Sequence, residues 1–200
     1  MPMIHSRGRK ALAALAVLTG ALVAAPAFAS CYITQSGFQP QDVTMDMGQI
    51  VILPSTPVGG VIKELIVNIN QRNSVAYCDS RGGNASGRFV NAAQQTPVPG
   101  FSNVYATDVA GVGIRVYRDS GDIQTYYPHT LILRSNTNLS LSGGRFRVEL
   151  IKTAAQTGSG VIAPNGRFTT YYYDGDGASR PVLTSTFKGS GTTVVSPTCE

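Results

Sequence analysis

Apolar and polar residues alternate along several short segments of this chain with the period of a β-strand. The clearest segment is RFRVEL at residues 145–150, where Phe146, Val148 and Leu150 alternate with charged residues. This period places one set of side chains in a core and the other in water. We predict further strands at residues 43–47, 49–53, 65–70, 74–78, 113–118, 130–134, 168–173, 183–188 and 192–195.

Turn-forming residues separate these segments. The chain has 22 Gly and 11 Pro, which cluster in sequences such as PSTP at 54–57 and DGDG at 174–177. Such clusters favour chain reversal, and no segment after the first 30 residues holds a helical apolar period. We predict an all-β fold, an antiparallel β-sandwich of immunoglobulin-like or jelly-roll-like type. The polar stretch at 81–105 lacks a convincing strand and is expected to be a surface loop.

The first 29 residues have the features of a secretory leader. Arg7, Arg9 and Lys10 precede an uncharged apolar run at 11–25, and Ala27, Phe28 and Ala29 form a small-x-small cleavage motif. The run is shorter than the roughly 20 residues of a membrane-spanning helix, so we expect a cleaved leader and no membrane anchor. Lipidation of Cys31 is a weaker alternative, because Phe28 is bulky where lipoprotein signals carry an aliphatic residue.

The charge balance does not indicate nucleic-acid binding. Three of the 16 Lys and Arg lie in the leader, which leaves a small excess over the 11 Asp and Glu. The remaining basic residues are scattered rather than clustered in a stripe. We therefore expect no nucleic-acid partner.

The chain has three cysteines, and an exported protein matures where disulfides persist. Cys31 and Cys78 flank the first third of the expected domain and form the natural pair. Cys199 is then unpaired, which indicates either an intermolecular bond or a partner in sequence beyond this chain.

Tyrosine is the residue type that most suggests a binding site. Tyr126 and Tyr127 precede His129, and Tyr172 lies in a run of three tyrosines before Asp174 and Asp176. Aromatic rings beside polar groups offer a stacking face and orienting hydrogen bonds to a sugar or peptide. We predict these six residues as the ligand site, although part of each Tyr run must face the core.

Nothing in the sequence indicates catalysis, a metal site or a cofactor. His129 is the one histidine after the leader, and no serine lies in a nucleophile-elbow context. The DGDG sequence at 174–177 lacks the later ligands of a calcium loop. We predict no catalytic residues, no metal and no cofactor, so the chain is not expected to be an enzyme.

Five segments carry a family resemblance: VTMDMGQIV at 43–51, PVGGVI at 57–62, GVGIRV at 111–116, VELIKT at 148–153 and GVI at 160–162. In this order they resemble the adhesins of chaperone-usher fimbriae, in particular the N-terminal domains of the group that includes the type 3 fimbrial tip adhesin. The resemblance covers scaffold positions and transfers no ligand-contact residue.

The resemblance implies an N-terminal receptor-binding β-sandwich followed by a pilin domain. The expected boundaries are a signal peptide at 1–29, the binding domain at 30–195 and the start of a pilin domain at 196–200, with Cys199 as the first pilin cysteine. Export by Sec to the periplasm, then display on the fimbrium, is implied. The implied partners are a host glycan or matrix protein, a periplasmic chaperone and fimbrial subunits, the last two contacted through the pilin domain.

Two other functions stay open from the sequence. A structural fimbrial subunit would need an assembly strand, which the final residues do not supply. A secreted β-sandwich hydrolase would depend on His129. Fold-level analogy supports the adhesin interpretation more than any identified site does.

Overall fold

A computed structural model describes residues 31–70, 75–91, 93–120, 123–163, 166–173, 181–189 and 191–196. The predicted leader, Asp174, Asp176, Cys199 and all but Ser196 of the predicted pilin segment lie outside these ranges.

The described residues form strands joined by turns, with a single 3₁₀ turn at Ala93–Gln95 and no α-helix among them. All ten strands that the alternation predicted are present, with ends shifted by a few residues. The strands are β1 (Cys31–Ile33), β2 (Gln41–Met45), β3 (Gln49–Val51), β4 (Val61–Asn68), β5 (Ala76–Cys78), β6 (Gly83–Phe89), β7 (Tyr105–Ala106), β8 (Val112–Ser120), β9 (Ile123–Tyr126), β10 (His129–Leu133), β11 (Thr137–Leu139), β12 (Arg145–Lys152), β13 (Gly160–Ile162), β14 (Arg167–Tyr173), β15 (Leu183–Phe187) and β16 (Thr192–Val195).

Two larger sheets form the sandwich. One has the order β10-β6-β14-β15-β2, and the other has the order β4-β12-β8-β7, with β9 also paired to β8. Phe146 of β12 and Phe168 of β14 lie with ring centroids 6.2 Å apart, so the two sheets pack face to face. The predicted β-sandwich is therefore confirmed.

Two smaller sheets, β1-β5-β11 and β13-β16-β3, complete the described fold. Most strand pairs are antiparallel, but β2 pairs with β15 and β3 with β16 in parallel. The consecutive strands β2 and β3 thus lie beside the consecutive strands β15 and β16, in two different sheets. Gly191, which directly precedes β16, has a φ of 107°. A glycine is needed here because L-residues rarely adopt this conformation.

The core lies between the inward faces of the two larger sheets. Val148 and Leu150 of β12 and Ile114 and Val116 of β8 are fully buried. From the other sheet, β14, β15 and β2 contribute their own buried residues. The period-two pattern at 145–150 thus predicted the buried face correctly.

A disulfide joins Cys31 of β1 to Cys78 of β5, as predicted, and both residues are fully buried. The two cysteines are direct partners in the β1–β5 register, so the bond crosslinks two paired strands. Among the described residues, no helix is long and apolar enough to cross a membrane.

Segment 81–105 differs from the expected loop, because it contains β6. This strand lies inside a five-stranded sheet, between β10 and β14. Its sequence, GNASGRF, is polar and small, yet Ala85, Gly87 and Phe89 are buried on its inward face. Small residues such as Ala85 and Gly87 fit a tightly packed inward face, but they do not give a visible alternation of apolar and polar residues. The sequence pattern therefore did not predict this strand.

Candidate functional site

Tyr126 and Tyr127 are adjacent in sequence but lie in different surroundings. Tyr126 ends β9 on the outward side of its sheet, where its hydroxyl donates a hydrogen bond to Gln124 Oε1 at 2.7 Å and its ring lies 5.0 Å from that of Tyr117. Tyr127 is 1 % exposed, and its ring lies 5.8 Å from that of Phe146 in the core. Tyr127 is therefore a core residue, and its ring face is not open to a surface ligand.

His129 begins β10 directly opposite Gly87 of β6. Its Nδ1 lies 2.9 Å from the Tyr126 carbonyl oxygen, which fixes the protonated nitrogen as Nδ1 because a carbonyl can only accept. Burial lowers the pKa of His129, the hydrogen bond to Tyr126 raises it, and the charge of Arg118 lowers it further. The imidazole is consequently neutral at pH 7.

Close packing against β6 holds His129 in this position. The His129 ring lies 5.0 Å from the Tyr127 ring and 5.7 Å from the Tyr171 ring, measured between centroids. A Cβ at position 87 would lie 2.5 Å from His129 Cε1 and 2.7 Å from Tyr127 Cε1. Only glycine at this point of β6 lets the two rings approach the strand.

Tyr172 lies on the outward face of β14 and is 6 % exposed. The guanidinium carbon of Arg88, from the neighbouring strand β6, lies 5.3 Å from the centroid of the Tyr172 ring. Tyr172 therefore supports an arginine rather than presenting an open ring. Asp174 and Asp176, the remaining predicted site residues, lie outside the described residues.

A surface cavity of about 410 Å³ opens where β6 and β10 meet, and we call it the β6–β10 pocket. It is lined by Gly87, Arg88, Phe89, Gln95, Pro128, His129 and Thr130. Of the four predicted site residues that the structure describes, only His129 belongs to it. The volume lies within the range of small-ligand sites in proteins.

Three parts of the chain build this pocket. Arg88 and Thr130 occupy outward positions of paired strands, and Thr130 lies 3.2 Å, oxygen to oxygen, from the Ser86 hydroxyl. Gln95 comes from the 3₁₀ turn, and Pro128 follows the buried Tyr127 in a cis peptide. Because β10 is an edge strand, backbone groups on its far side add further hydrogen-bonding capacity.

Sequence reasoning missed Arg88, Gln95 and Thr130. Arg88 and Gln95 lie in the polar segment 81–105, whose composition was the available signal. Thr130 follows His129 directly, but it looks like an ordinary strand residue. Their convergence depends on the pairing of β6 with β10, which no local pattern predicts.

A larger open cavity of about 700 Å³ lies in another part of the described structure. It is lined by Ile33, Thr34, Gln35, Ser36, Gly37, Phe38, Pro40 and Pro181. None of these described lining residues is charged, and none is a predicted site residue. The β6–β10 pocket is therefore the stronger candidate.

The described residues contain no group of three or more His, Cys, Asp or Glu side chains placed to hold a metal ion. Within the same ranges, His129 Nε2 is buried without a hydrogen-bond partner. No described hydroxyl, thiol or carboxylate is therefore positioned for activation by this nitrogen.

Comparison with known proteins identifies the family. Residues 43–190 match the sequence profile of the family described as the MrkD-like receptor binding domain. The chain belongs to this family. The match covers both larger sheets of the sandwich except the first two residues of β2, and it includes every described residue that lines the β6–β10 pocket.

A relative of this MrkD-like receptor binding domain is a fimbrial protein. A fimbria adhesin protein of Klebsiella pneumoniae is 32% identical over 180 residues, which cover 90% of this chain and 52% of the relative. The chain thus spans about half the length of that protein.

Two solved structures share the fold of this MrkD-like domain. The receptor binding domain of the plasmid-borne adhesin MrkD1P of Klebsiella pneumoniae superposes with a TM-score of 0.69 at 28% identity, covering 86% of this chain and 98% of that one. The CupB6 tip adhesin of Pseudomonas aeruginosa gives a TM-score of 0.52 at 11% identity, covering 83% of this chain and 44% of that one. The second likeness concerns the fold alone.

Proposed function

We propose that this chain is the receptor-binding part of a fimbrial adhesin that attaches a bacterium to a glycan or matrix protein of a host surface. The observation that carries the proposal is the match of residues 43–190 to the MrkD-like receptor binding domain. The similarity to a fimbria adhesin protein over 90% of the chain supports it.

The β6–β10 pocket is the proposed attachment site. It combines a concave surface with hydrogen-bonding side chains, Gln95 and Thr130, and an apolar wall that includes Pro128. Beside it, Ile132 shares the outward face of β10 with Thr130 and is 91 % exposed. Ile132 thus adds apolar area on the face that carries Thr130.

The remaining expectations form part of the same proposal. Residues 1–29 would direct export by Sec, residues 30–195 would bind the receptor, and 196–200 would begin a pilin domain. That domain would contact a periplasmic chaperone and fimbrial subunits, which places the protein on the fimbrium. The activity is proposed to be binding without catalysis, supported by the adhesin family and fold.

The test measures adhesion by the full exported chain. Purified protein coupled to fluorescent beads is applied to cultured epithelial cells and to coatings of fibronectin, laminin and collagen. We expect adhesion that the combined substitutions Gln95→Ala and Thr130→Val reduce, and that Lys63→Ala, on the opposite sheet, leaves unchanged. Absence of adhesion to every surface would overturn the proposal and favour a structural subunit.

A further inference from the structure

The described residues that line the β6–β10 pocket carry formal charge of one sign, which is positive. Among the described residues that line it, Arg88 is formally charged, and none is Asp or Glu. His129 is neutral at pH 7, for the reasons given above. A cleft lined by charge of one sign focuses the field and attracts ligands of the opposite sign.

Arg88 is held in place but keeps its charge available. Its guanidinium carbon lies 5.3 Å from the Tyr172 ring centroid, and the side chain is exposed. None of the ion pairs between described residues involves Arg88. A guanidinium over an aromatic ring retains its edge N–H donors, which match a carboxylate or sulfate.

A second arginine acts on the pocket from inside the sandwich. Arg118 lies on the inward face of β8, with its guanidinium carbon 4.9 Å from the Tyr171 ring centroid. Its Nε is buried without a hydrogen-bond partner, and no described carboxylate pairs with it. Its positive charge also lowers the pKa of His129, a lining residue. A second positive charge therefore acts on the pocket from the interior of the sandwich, in addition to that of Arg88.

The neutral lining residues favour a sugar as the carrier of the negative charge. Gln95 and Thr130 offer donors and acceptors suited to hydroxyl groups, and Pro128 gives an apolar surface for a ring face. The cavity of about 410 Å³ suits a small compact ligand rather than the broad contact of a folded protein.

We propose that the β6–β10 pocket binds an acidic saccharide, whose carboxylate or sulfate group pairs with the Arg88 guanidinium. This inference rests on the proposed attachment function and names the ligand class of that site. Gln95 and Thr130 bind neighbouring hydroxyl groups, and the charge of Arg118 adds to the attraction without contact.

The experiment compares matched saccharides on an array probed with the full exported chain. The pairs are sialyllactose with lactose, and sulfated with unsulfated N-acetyllactosamine, so that carboxylate and sulfate are tested separately. We expect the acidic member of at least one pair to bind about tenfold or more tightly, the scale of one charge-assisted contact.

Variants assign the preference to Arg88. Arg88→Gln should bind both members of the pair alike, whereas Arg88→Lys should keep part of the preference. Arg134→Gln removes the same charge from an exposed arginine outside the pocket and should bind as the parent does. Circular dichroism and thermal melting establish that each variant is folded.

The outcomes separate this inference from the attachment function. Equal binding of acidic and neutral saccharides, or an acidic preference that survives Arg88→Gln in a folded protein, overturns the inference. The inference is also overturned if the beads adhere to cells while no array saccharide binds, or if polyglutamate blocks adhesion and acidic saccharides do not. In both cases the proposed attachment function is still supported, because the beads adhere. Absence of both adhesion and array binding overturns both proposals.

Discussion

The guanidinium carbon of Arg118 lies 4.9 Å from the centroid of the Tyr171 ring, so a cation on β8 is held against an aromatic ring of the opposite sheet. Within the described ranges no carboxylate neutralises it. Its field reaches His129 through the low-dielectric interior, where charges interact more strongly than in water.

Replacing Arg118 should therefore raise the pKa of His129. Arg118→Met keeps most of the side-chain volume and removes the charge. In protein cleaved after residue 29, His129 gives the single histidine signal, whose chemical shift can be followed by NMR as pH changes. Arg167→Met, at an exposed arginine, is the control and should leave the pKa as it is. An unchanged His129 pKa in Arg118→Met would refute the coupling.

The neutral state of His129 makes folding stability depend on pH. The pKa of His129 is lowered by folding, so between the folded and unfolded values the unfolded chain binds more protons. Stability should fall as pH drops below about 6.5, the ordinary histidine value. The loss stays under about 1.4 kcal/mol per pH unit, the limit for one proton, and partial exposure of the ring reduces it further.

Urea unfolding at pH 7.5 and pH 5.5 measures this effect. The difference in the free energy of unfolding should be smaller in His129→Gln than in the parent, since carboxylates titrate alike in both. If the two proteins lose the same stability, His129 does not contribute.

The disulfide should be a major contribution to stability. Cys31 and Cys78 are separated by 47 positions, and the loop-closure model gives about 4 kcal/mol for a crosslink of this span. The double substitution of both cysteines by alanine should lower the free energy of unfolding by about that amount, measured with urea. A loss below about 1 kcal/mol would show that β1 and β5 hold together without the bond.

Glu149 links the side chains of Arg115 and Tyr117 on the outward face of its sheet. It is 8 % exposed and accepts hydrogen bonds from Arg115 Nε at 2.6 Å and from the Tyr117 hydroxyl at 3.0 Å. Glu149→Gln leaves Arg115 without its charge partner and should cost about 2 kcal/mol. Glu64→Gln, at an exposed partner of Arg147, should cost less than about 1 kcal/mol.

The same pair of variants has a spectroscopic readout. Burial and then the Glu149 hydrogen bond raise the pKa of Tyr117 to about 12. Loss of the Glu149 charge should lower that pKa, while Glu64→Gln should not affect it. A Tyr117 titration that is unchanged in Glu149→Gln would contradict the assignment.

Gly87 should tolerate no side chain. A Cβ at this position meets the rings of both Tyr127 and His129, so Gly87→Ala should cost about 1–3 kcal/mol through overpacking. Gly158→Ala is the matched control, because its Cβ would meet Ala110 at 3.6 Å or beyond, an ordinary contact. It should change the free energy of unfolding by less than about 0.5 kcal/mol. Equal effects of the two substitutions would show that the rings move aside.

The functional residues were harder to predict than the strands. The two tyrosine runs identified a region of interest, but alternation sends Tyr127 and Tyr171 inward and leaves Tyr126 and Tyr172 on outward faces of different sheets. Adjacent residues in an extended strand point to opposite sides, so the members of an aromatic run lie alternately on the two faces of the sheet. Among the predicted residues within the described ranges, His129 alone lines the pocket.

The sequence by itself determined ten of the strand segments and the buried face of β12, because side-chain alternation and turn residues act over a few positions. It also indicated the Cys31–Cys78 pairing, because disulfides persist in an exported chain and these two cysteines flank the first third of the domain. Only the tertiary structure decided that β6 pairs with β10 and that β2 and β3 run parallel to β15 and β16. These pairings join residues tens of positions apart, and the packing of the whole core selects them. The β6–β10 pocket, which brings Arg88 and Gln95 close to His129, forms because these two strands pair.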